Sequence, residues 1–431
     1  MEVPPPSYQA ISIDYSAPPY SDSPRSTDII LPDDPHTFFD PSRFTNFNWK
    51  YKSSHMSIDF GPRIWGLGHP AYGLGGTIQF SVRTNGVDPK AEDVSAVLEG
   101  TLFSSITRKS ILFMSAAIPS TSSAPQRGNQ KDVRGFTIKI PSTVGGGLTS
   151  SCPPSFTMYD LSGMVYEITY RVKIRLTGLQ GLRVWGDETK VVHILYLPKS
   201  RPSIPPLTSI RRPLQARDGS IFCPEFDSSD STRTFALSPR FPRPRSTGAE
   251  TEFHSSIFVT LPRSLCFTSG LQIPYLFSFV FPSHPHLSTL YAKSFIQVTI
   301  VKQLLLWSPK HRRTKVVSPS PFRVEWRLAT SRPRLHSEYR EGVYMLRGSV
   351  GTGTAGSQCS WKLDNYAGVQ YVLKLSITPA LPFVDNLPSF SHEEVVELTT
   401  DNWGSLHREL TSMGGLPTPA LGLAKAQSPT T

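Results

Sequence analysis

A chain of 431 residues exceeds what one hydrophobic core supports, since single cores seldom grow past about 250 residues, so two domains with connecting segments are expected. Hydrophobic residues at 38% supply packed cores, while 40 prolines against 18% charged residues exclude long helices and point to short strands, turns and loose connectors. The net charge of +11 is concentrated between Lys302 and Arg340, where ten Lys or Arg against Glu325 and Glu338 leave an excess of +8.

Residues 1 to 48 are rich in Pro, Ser and Asp and poor in spaced apolar positions, which predicts a disordered tail of the kind that carries short motifs. Within it stands Pro5-Pro6-Ser7-Tyr8, extended by Pro4. Consecutive prolines preform a polyproline II ridge and a tyrosine beyond it fills a second pocket, so Pro5, Pro6 and Tyr8 read as a ligand for a WW domain. The nearby Pro18-Pro19-Tyr20 lacks the intervening residue and puts its tyrosine out of register. The N-terminus has no basic region followed by an apolar one, so no secretory signal is expected there.

From residue 49 to 198 the character is that of strands. Segments 56–60, 75–83, 94–106, 110–117, 134–140, 165–176 and 190–197 are short, rich in β-branched or aromatic residues and bounded by turn formers. The longest, Val165 to Leu176, alternates Tyr166, Ile168, Tyr170, Val172, Ile174 and Leu176 with Val165, Glu167, Thr169, Arg171, Lys173 and Arg175. That period of two predicts a half-buried antiparallel strand. Residues 199–253 read as a Pro-rich connector, and proteolysis is expected to cut first between Lys199 and Arg245. Strands resume over 254–400, at 256–261, 271–281, 294–306, 316–328, 342–350, 369–377 and 394–399, which predicts a second sandwich of similar size. Residues 401–431 are again disordered in composition.

The lead-in Pro153-Pro154-Ser155-Phe156, followed by Gly163, Tyr166, Ile168, Tyr170 and Val172 at fixed spacing, resembles the late part of the N-terminal lobe of arrestin-fold proteins, especially the fungal arrestin-like (alpha-arrestin) adaptors. The order of a Gly-led strand from Gly75 and a strand ending Leu98-Glu99-Gly100 is similar too. The resemblance implies an all-β protein of two tandem immunoglobulin-like (arrestin-like) β-sandwich lobes. It implies a non-catalytic intracellular adaptor that binds the cytoplasmic tails of membrane proteins. Joined to Pro5, Pro6 and Tyr8, it implies recruitment of a WW-domain HECT-type ubiquitin ligase, for ubiquitination and endocytosis. In that family such motifs more often lie in the second lobe or the C-terminal tail. A cytoplasmic location, with peripheral association with plasma membrane or endosomes, follows as an expectation.

The basic segment suits an anionic surface, with Lys310, Arg312, Arg313 and Lys315 as its contacts to membrane or to a phosphorylated tail. The alternative is a phosphate- or nucleic-acid-binding sandwich in which Trp307, Phe322 and Trp326 stack bases, although nucleic acid is not the expected partner. Enzymatic chemistry finds no motif and no cofactor is expected. Gly351-Thr352-Gly353-Thr354-Ala355-Gly356 fits a dinucleotide fingerprint but is not followed by a helix pattern, and reads as a flexible hairpin loop. His392-Glu393-Glu394 lacks a second histidine one turn on and reads as a strand start, and His284-Pro285-His286 reads as a surface turn. Cys152, Cys223, Cys266 and Cys359 form no Cys-x-x-Cys pair, so free, buried thiols are expected rather than a metal site or a disulfide framework.

Overall fold

The computed structural model describes residues 48–84, 93–105, 109–121, 133–144, 150–159, 165–177, 187–210, 231–242, 253, 256–307, 321–333, 335–340, 342–364, 366–406, 409 and 418–425. They fold as two tandem β-sandwich lobes, the all-β arrangement expected from the sequence. In the first lobe, one sheet runs in the order β1 (Asn48–Lys52), β2 (Met56–Pro62), β4 (Thr77–Thr84), β8 (Val133–Lys139), β7 (Ser120–Thr121). The facing sheet runs β3 (Ala71–Tyr72), β11 (Glu188–Tyr196), β10 (Val165–Thr177), β5 (Asp93–Ser104), β6 (Lys109–Ile118), with β9 (Phe156–Tyr159) pairing the start of β10.

Strand β10 holds the first lobe together because its alternation suits a central position. It pairs β5 from Tyr166↔Ser104 to Thr177↔Asp93 and pairs β11 from Tyr170↔Ile194 onward. Ile168, Tyr170, Val172, Ile174 and Leu176 face the inter-sheet core, where Phe80 stacks between Phe60 and Phe136. The opposite face carries Arg171, which donates to Glu99 at 2.7 Å, and Arg175, which pairs with Asp187. The Tyr170 hydroxyl, wholly buried, donates to the Pro153 carbonyl at 2.6 Å and pins the Pro-rich lead-in to the strand.

In the second lobe, one sheet is β12 (Thr232–Ala236), β14 (Ile257–Pro262), β16 (Gln272–Val280), β20 (Val343–Gly351), β19 (Leu335–Arg340). The other is β13 (Ser238–Arg240), β23 (Ser389–Thr399), β22 (Ala367–Thr378), β17 (Phe295–Leu306), β18 (Phe322–Ser331), with β15 (Cys266–Thr268) beside β23 and β21 (Trp361–Leu363) beside β22. Helix α1 (Pro285–Ala292) bridges the sheets between β16 and β17, and a five-residue helix α2 (Leu421–Lys425) closes the described chain.

Three expectations are corrected. The stretch read as a connector contains β12 and β13, edge strands that pair β14 and β23; Pro239 sits in β13, where an edge strand tolerates a missing donor. The predicted C-terminal tail is ordered over 418–425, with Ala420 and Leu423 buried. The His284-Pro285-His286 turn is the start of α1, with His284 at the cap and Pro285 at the first helical position, where a proline lacks nothing the helix needs.

Candidate functional site

The lobes are fused by a seam. The ring of Phe156 meets Trp361 edge-on at 5.4 Å between centroids, and the Lys302 ammonium lies 5.4 Å from the Phe156 ring. Tyr166, from the first half of β10, packs in the core of the second lobe, while Leu363 and Ala367 pack in the core of the first. Burial pushes the Cys359 thiol up to about 12, with the neighbouring Lys302 ammonium opposing it. A thiol held that high is inert at neutral pH. Cys152, Cys266 and Cys359 are all free, and Cys223 lies outside the described residues.

The C-terminal segment completes the seam. Ala420 and Leu423 cluster with Ala71 and Leu197 of the first lobe and Cys359 of the second, and the Ala420 amide donates to the Leu197 carbonyl at 2.9 Å. Polar contacts fix the chain that leaves β11. Ser200 donates its amide to the Thr400 hydroxyl at 2.9 Å and accepts the Thr400 amide on its own hydroxyl at 3.1 Å. Lys199 reaches Glu409 at 3.2 Å and Asp401 at 3.6 Å, and Arg201 and Thr418 also bond to Glu409. Burial pushes the Glu409 carboxyl up, but hydrogen bonds from Thr418 and the charge of Lys199 outweigh it and hold the group below the usual carboxylate range. Lys199 to Arg201, expected as the start of an exposed connector, are therefore tied down.

The second lobe carries a groove of 910 Å³ between the ends of β16, β18 and β20 and the 208–210 segment. Among the described residues it is lined by Arg332 and Arg347 and by the hydroxyl-bearing Thr208, Ser209, Tyr275, Thr330, Ser331 and Ser349, with no carboxylate; the Arg332 guanidinium lies 4.4 Å from the Phe295 ring. Its floor is set by a pairing across β16 and β20, where Tyr275 lies opposite Gly348. A Cβ on Gly348 would stand 2.3 Å from the Tyr275 hydroxyl oxygen, so only glycine leaves the ring its place. Ser331 donates its proton to the Ser349 carbonyl at 2.6 Å, which leaves its oxygen to accept from Tyr275 at 3.1 Å. Ile210 caps Leu276, Val343 and Met345 on the outer face of the sheet and so brings Thr208 and Ser209 to the rim. The protons of Ser331, Tyr275 and Ser349 are thus donated within the protein, and it is the two forked cations of the recess that suit a phosphate or carboxylate group.

Among the described residues, Trp307, Phe322 and Trp326 do not line this groove. Pro5, Pro6, Tyr8, Lys310, Arg312, Arg313 and Lys315 all lie outside the described residues. Of the aromatics proposed to stack bases, Trp326 packs against the second-lobe core, Phe322 is exposed, and Trp307 carries the Lys362 ammonium at 5.7 Å. On β18 the aromatics Phe322 and Trp326 share one face and Arg323 and Arg327 the other, because side chains alternate along a strand. Glu325, on the charged face, bonds to Gln303 at 2.7 Å and Lys374 at 2.9 Å. The described part of the basic segment thus separates the cations from the rings that would have to act with them. The Gly351–Gly356 run ends β20 and is followed by β21, with no helix N-terminus to receive a pyrophosphate. His392 lies within β23 and faces Glu394 at 3.2 Å. Groove residues such as Arg332, Ser331, Arg347 and Tyr275 were missed because strand pairing, not sequence proximity, unites them.

The described residues define an all-β, two-lobed fold with an arginine-lined recess in its second lobe. Among solved structures it is similar to squid arrestin, at 10% identity over 82% of this chain and 97% of that one, with a TM-score of 0.34. A marsupial T cell receptor is similar at 11% identity, over 80% of this chain and 95% of that one, with a TM-score of 0.18. No protein-family model matches the chain, and no curated protein does.

Proposed function

We propose that the chain is a non-catalytic adaptor of the arrestin-like type. In this reading the second-lobe groove takes an acidic or phosphorylated stretch from the cytoplasmic tail of a membrane protein. Pro5, Pro6 and Tyr8 present a WW-domain HECT-type ubiquitin ligase to the captured protein, so that it is ubiquitinated and internalised. A cytoplasmic site of action with peripheral contact to plasma membrane or endosomes belongs to the same reading.

The observation that carries it is the composition of the groove: among the described residues it is lined by two arginines and six hydroxyl-bearing side chains and by no carboxylate. Two cationic side chains beside polar ones favour an anion over an apolar ligand by charge. The Pro-Pro-x-Tyr motif supports the second half, and the motif around β10 supports the arrestin-like comparison.

Fluorescence anisotropy of a labelled serine peptide, with and without phosphorylation, tests the groove on the full chain. Binding should depend on the phosphate and fall about tenfold or more in Arg332→Gln/Arg347→Gln, as expected for loss of charge-assisted bonds. Equal binding of both peptides, or no effect of the double substitution, would reject the groove as the tail site.

A further inference from the structure

One rim of the groove is a stretch of chain that is itself held down. Leu207 and Ile210 pack with Leu276, Val343 and Met345 on the outer face of the sheet, and Ile210 is only 7% exposed. Between these two anchors stand Thr208 and Ser209, both exposed and both lining the groove. A pair bracketed so closely cannot leave the rim unless Leu207 or Ile210 lifts off the sheet. The hydroxyls of Ser331, Tyr275 and Ser349 are committed to bonds within the protein, whereas Thr208 and Ser209 face solvent at the mouth.

Strand register brings a cation to the same face. Arg347 lies opposite Leu276 across β16 and β20 and two positions after Met345, so it projects from the face that Ile210 covers. Arg332 lines the groove from just past the end of β18, with the Phe295 ring against its guanidinium. Among the described residues the lining holds no carboxylate to compete for either arginine. An anion-suited recess thus has an alcohol of its own chain fixed at its edge.

We infer that Ser209 is a phosphorylation site whose phosphate is captured by Arg347 and Arg332 of its own groove, so that the modified chain excludes a phosphorylated tail. Ser209 is preferred to Thr208 because it adjoins Ile210, the more deeply buried anchor. Residues 203–209 form neither helix nor strand and are mostly exposed, the reachable form that a protein kinase requires of its substrate. The kinase moves the γ-phosphoryl group of a nucleoside triphosphate. The bond from Ser209 Oγ to phosphorus forms, the bond from phosphorus to the β,γ-bridging oxygen breaks, the nucleoside diphosphate leaves, and the hydroxyl proton passes to the kinase's base. The ester gains close to two negative charges and three acceptor oxygens, a match for guanidinium forks. Tethered at the rim, it reaches an effective concentration at the arginines of about the millimolar range, which a tail arriving from solution must overcome. Exclusion of the tail rests on the function proposed above; capture of the phosphate does not.

The test places phosphoserine at position 209 of the full chain and, as a control, at position 203, since Ser203 is exposed but does not line the groove. In a phosphorus NMR titration the second ionisation of the phosphate at 209 should fall about one pH unit below that at 203, because nearby guanidiniums favour the dianion. It should return to the control value in Arg332→Gln/Arg347→Gln, and also in Ile210→Ser, which frees the rim and keeps both arginines. The chain phosphorylated at 209 should bind the labelled phosphopeptide at least about tenfold more weakly than the unmodified chain, and phosphorylation at 203 should leave that binding unchanged. Equal ionisation at 209 and 203, or a shift at 209 that survives the double arginine substitution, would overturn capture. Undiminished peptide binding after phosphorylation at 209 would overturn exclusion. The ionisation is read without peptide, so a chain that ignores the phosphopeptide yet shifts the phosphate at 209 supports capture and fails only as a tail adaptor.

Discussion

Gly73→Ala should undock the C-terminal segment without unfolding either lobe. A Cβ at this position would stand 2.4 Å from the Thr418 carbonyl oxygen and 2.8 Å from its carbon, and these are backbone atoms that cannot rotate aside. Overpacking of that severity costs about 1–3 kcal/mol if the neighbours stay in place. Burial of Leu423, at 7% exposure, contributes about 1.5–3 kcal/mol. The two are comparable, so release of 418–425 becomes an available escape from the clash. Hydrogen exchange read by mass spectrometry tests this. Peptides covering Ala420 to Leu423 and the Leu195–Leu197 end of β11 should exchange at least about tenfold faster, the equivalent of about 1.4 kcal/mol, while β10 and β17 keep their protection. Leu423→Ala should give the same pattern by removing the anchor instead of adding a clash. If exchange around Ala420 is unchanged in Gly73→Ala, or rises only together with β10, the segment is not an independently docked element and the reasoning fails.

Two further outcomes follow from named contacts. Gly348→Ala forces Tyr275 from its place and should cost about 1–3 kcal/mol in urea denaturation and weaken phosphopeptide binding with it; parental stability would show that the ring has room. The depressed Glu409 carboxyl contributes stability that is present above the ordinary value of 4.5 and is lost as pH falls through its lower folded value. As pH falls below 4.5 and through the lower folded value, then, exchange at Ala420 should accelerate before that of the lobe strands, and Glu409→Gln should remove this pH dependence. The same profile in Glu409→Gln as in the parent would assign the acid effect to other groups.

The sequence made the lobes readable where one strand carried enough information by itself. In β10 the period of two is unbroken over twelve residues, and each apolar position named from it is buried. Strands β12 and β13 are short edges whose identity comes from their partners: Ser238-Pro239-Arg240 has no strand signal until β23 lies beside it. The docking of Ala420 and Leu423 is likewise decided by residues more than sixty positions away in sequence, including Leu197 and Cys359. The groove was illegible for a related reason, since Tyr275, Ser331 and Ser349 come from three strands and meet through tertiary pairing. The need for glycine at 348 is likewise visible only with Tyr275 opposite it. The basic run was visible as charge, yet on β18 alternation divides its arginines from its aromatics, which composition cannot show.

An adaptor must hold two partners at once, and a bridging assay measures that property itself. A phosphoserine peptide is immobilised, the full chain is added, and a WW domain of a HECT-type ligase is passed over it. The account predicts that the WW domain is retained only when the chain is present. Tyr8→Ala should keep the chain on the peptide and lose the WW domain, while Arg332→Gln/Arg347→Gln should lose both. Retention of the WW domain by the Tyr8→Ala chain, or failure of the parent chain to hold peptide and WW domain together, would contradict it.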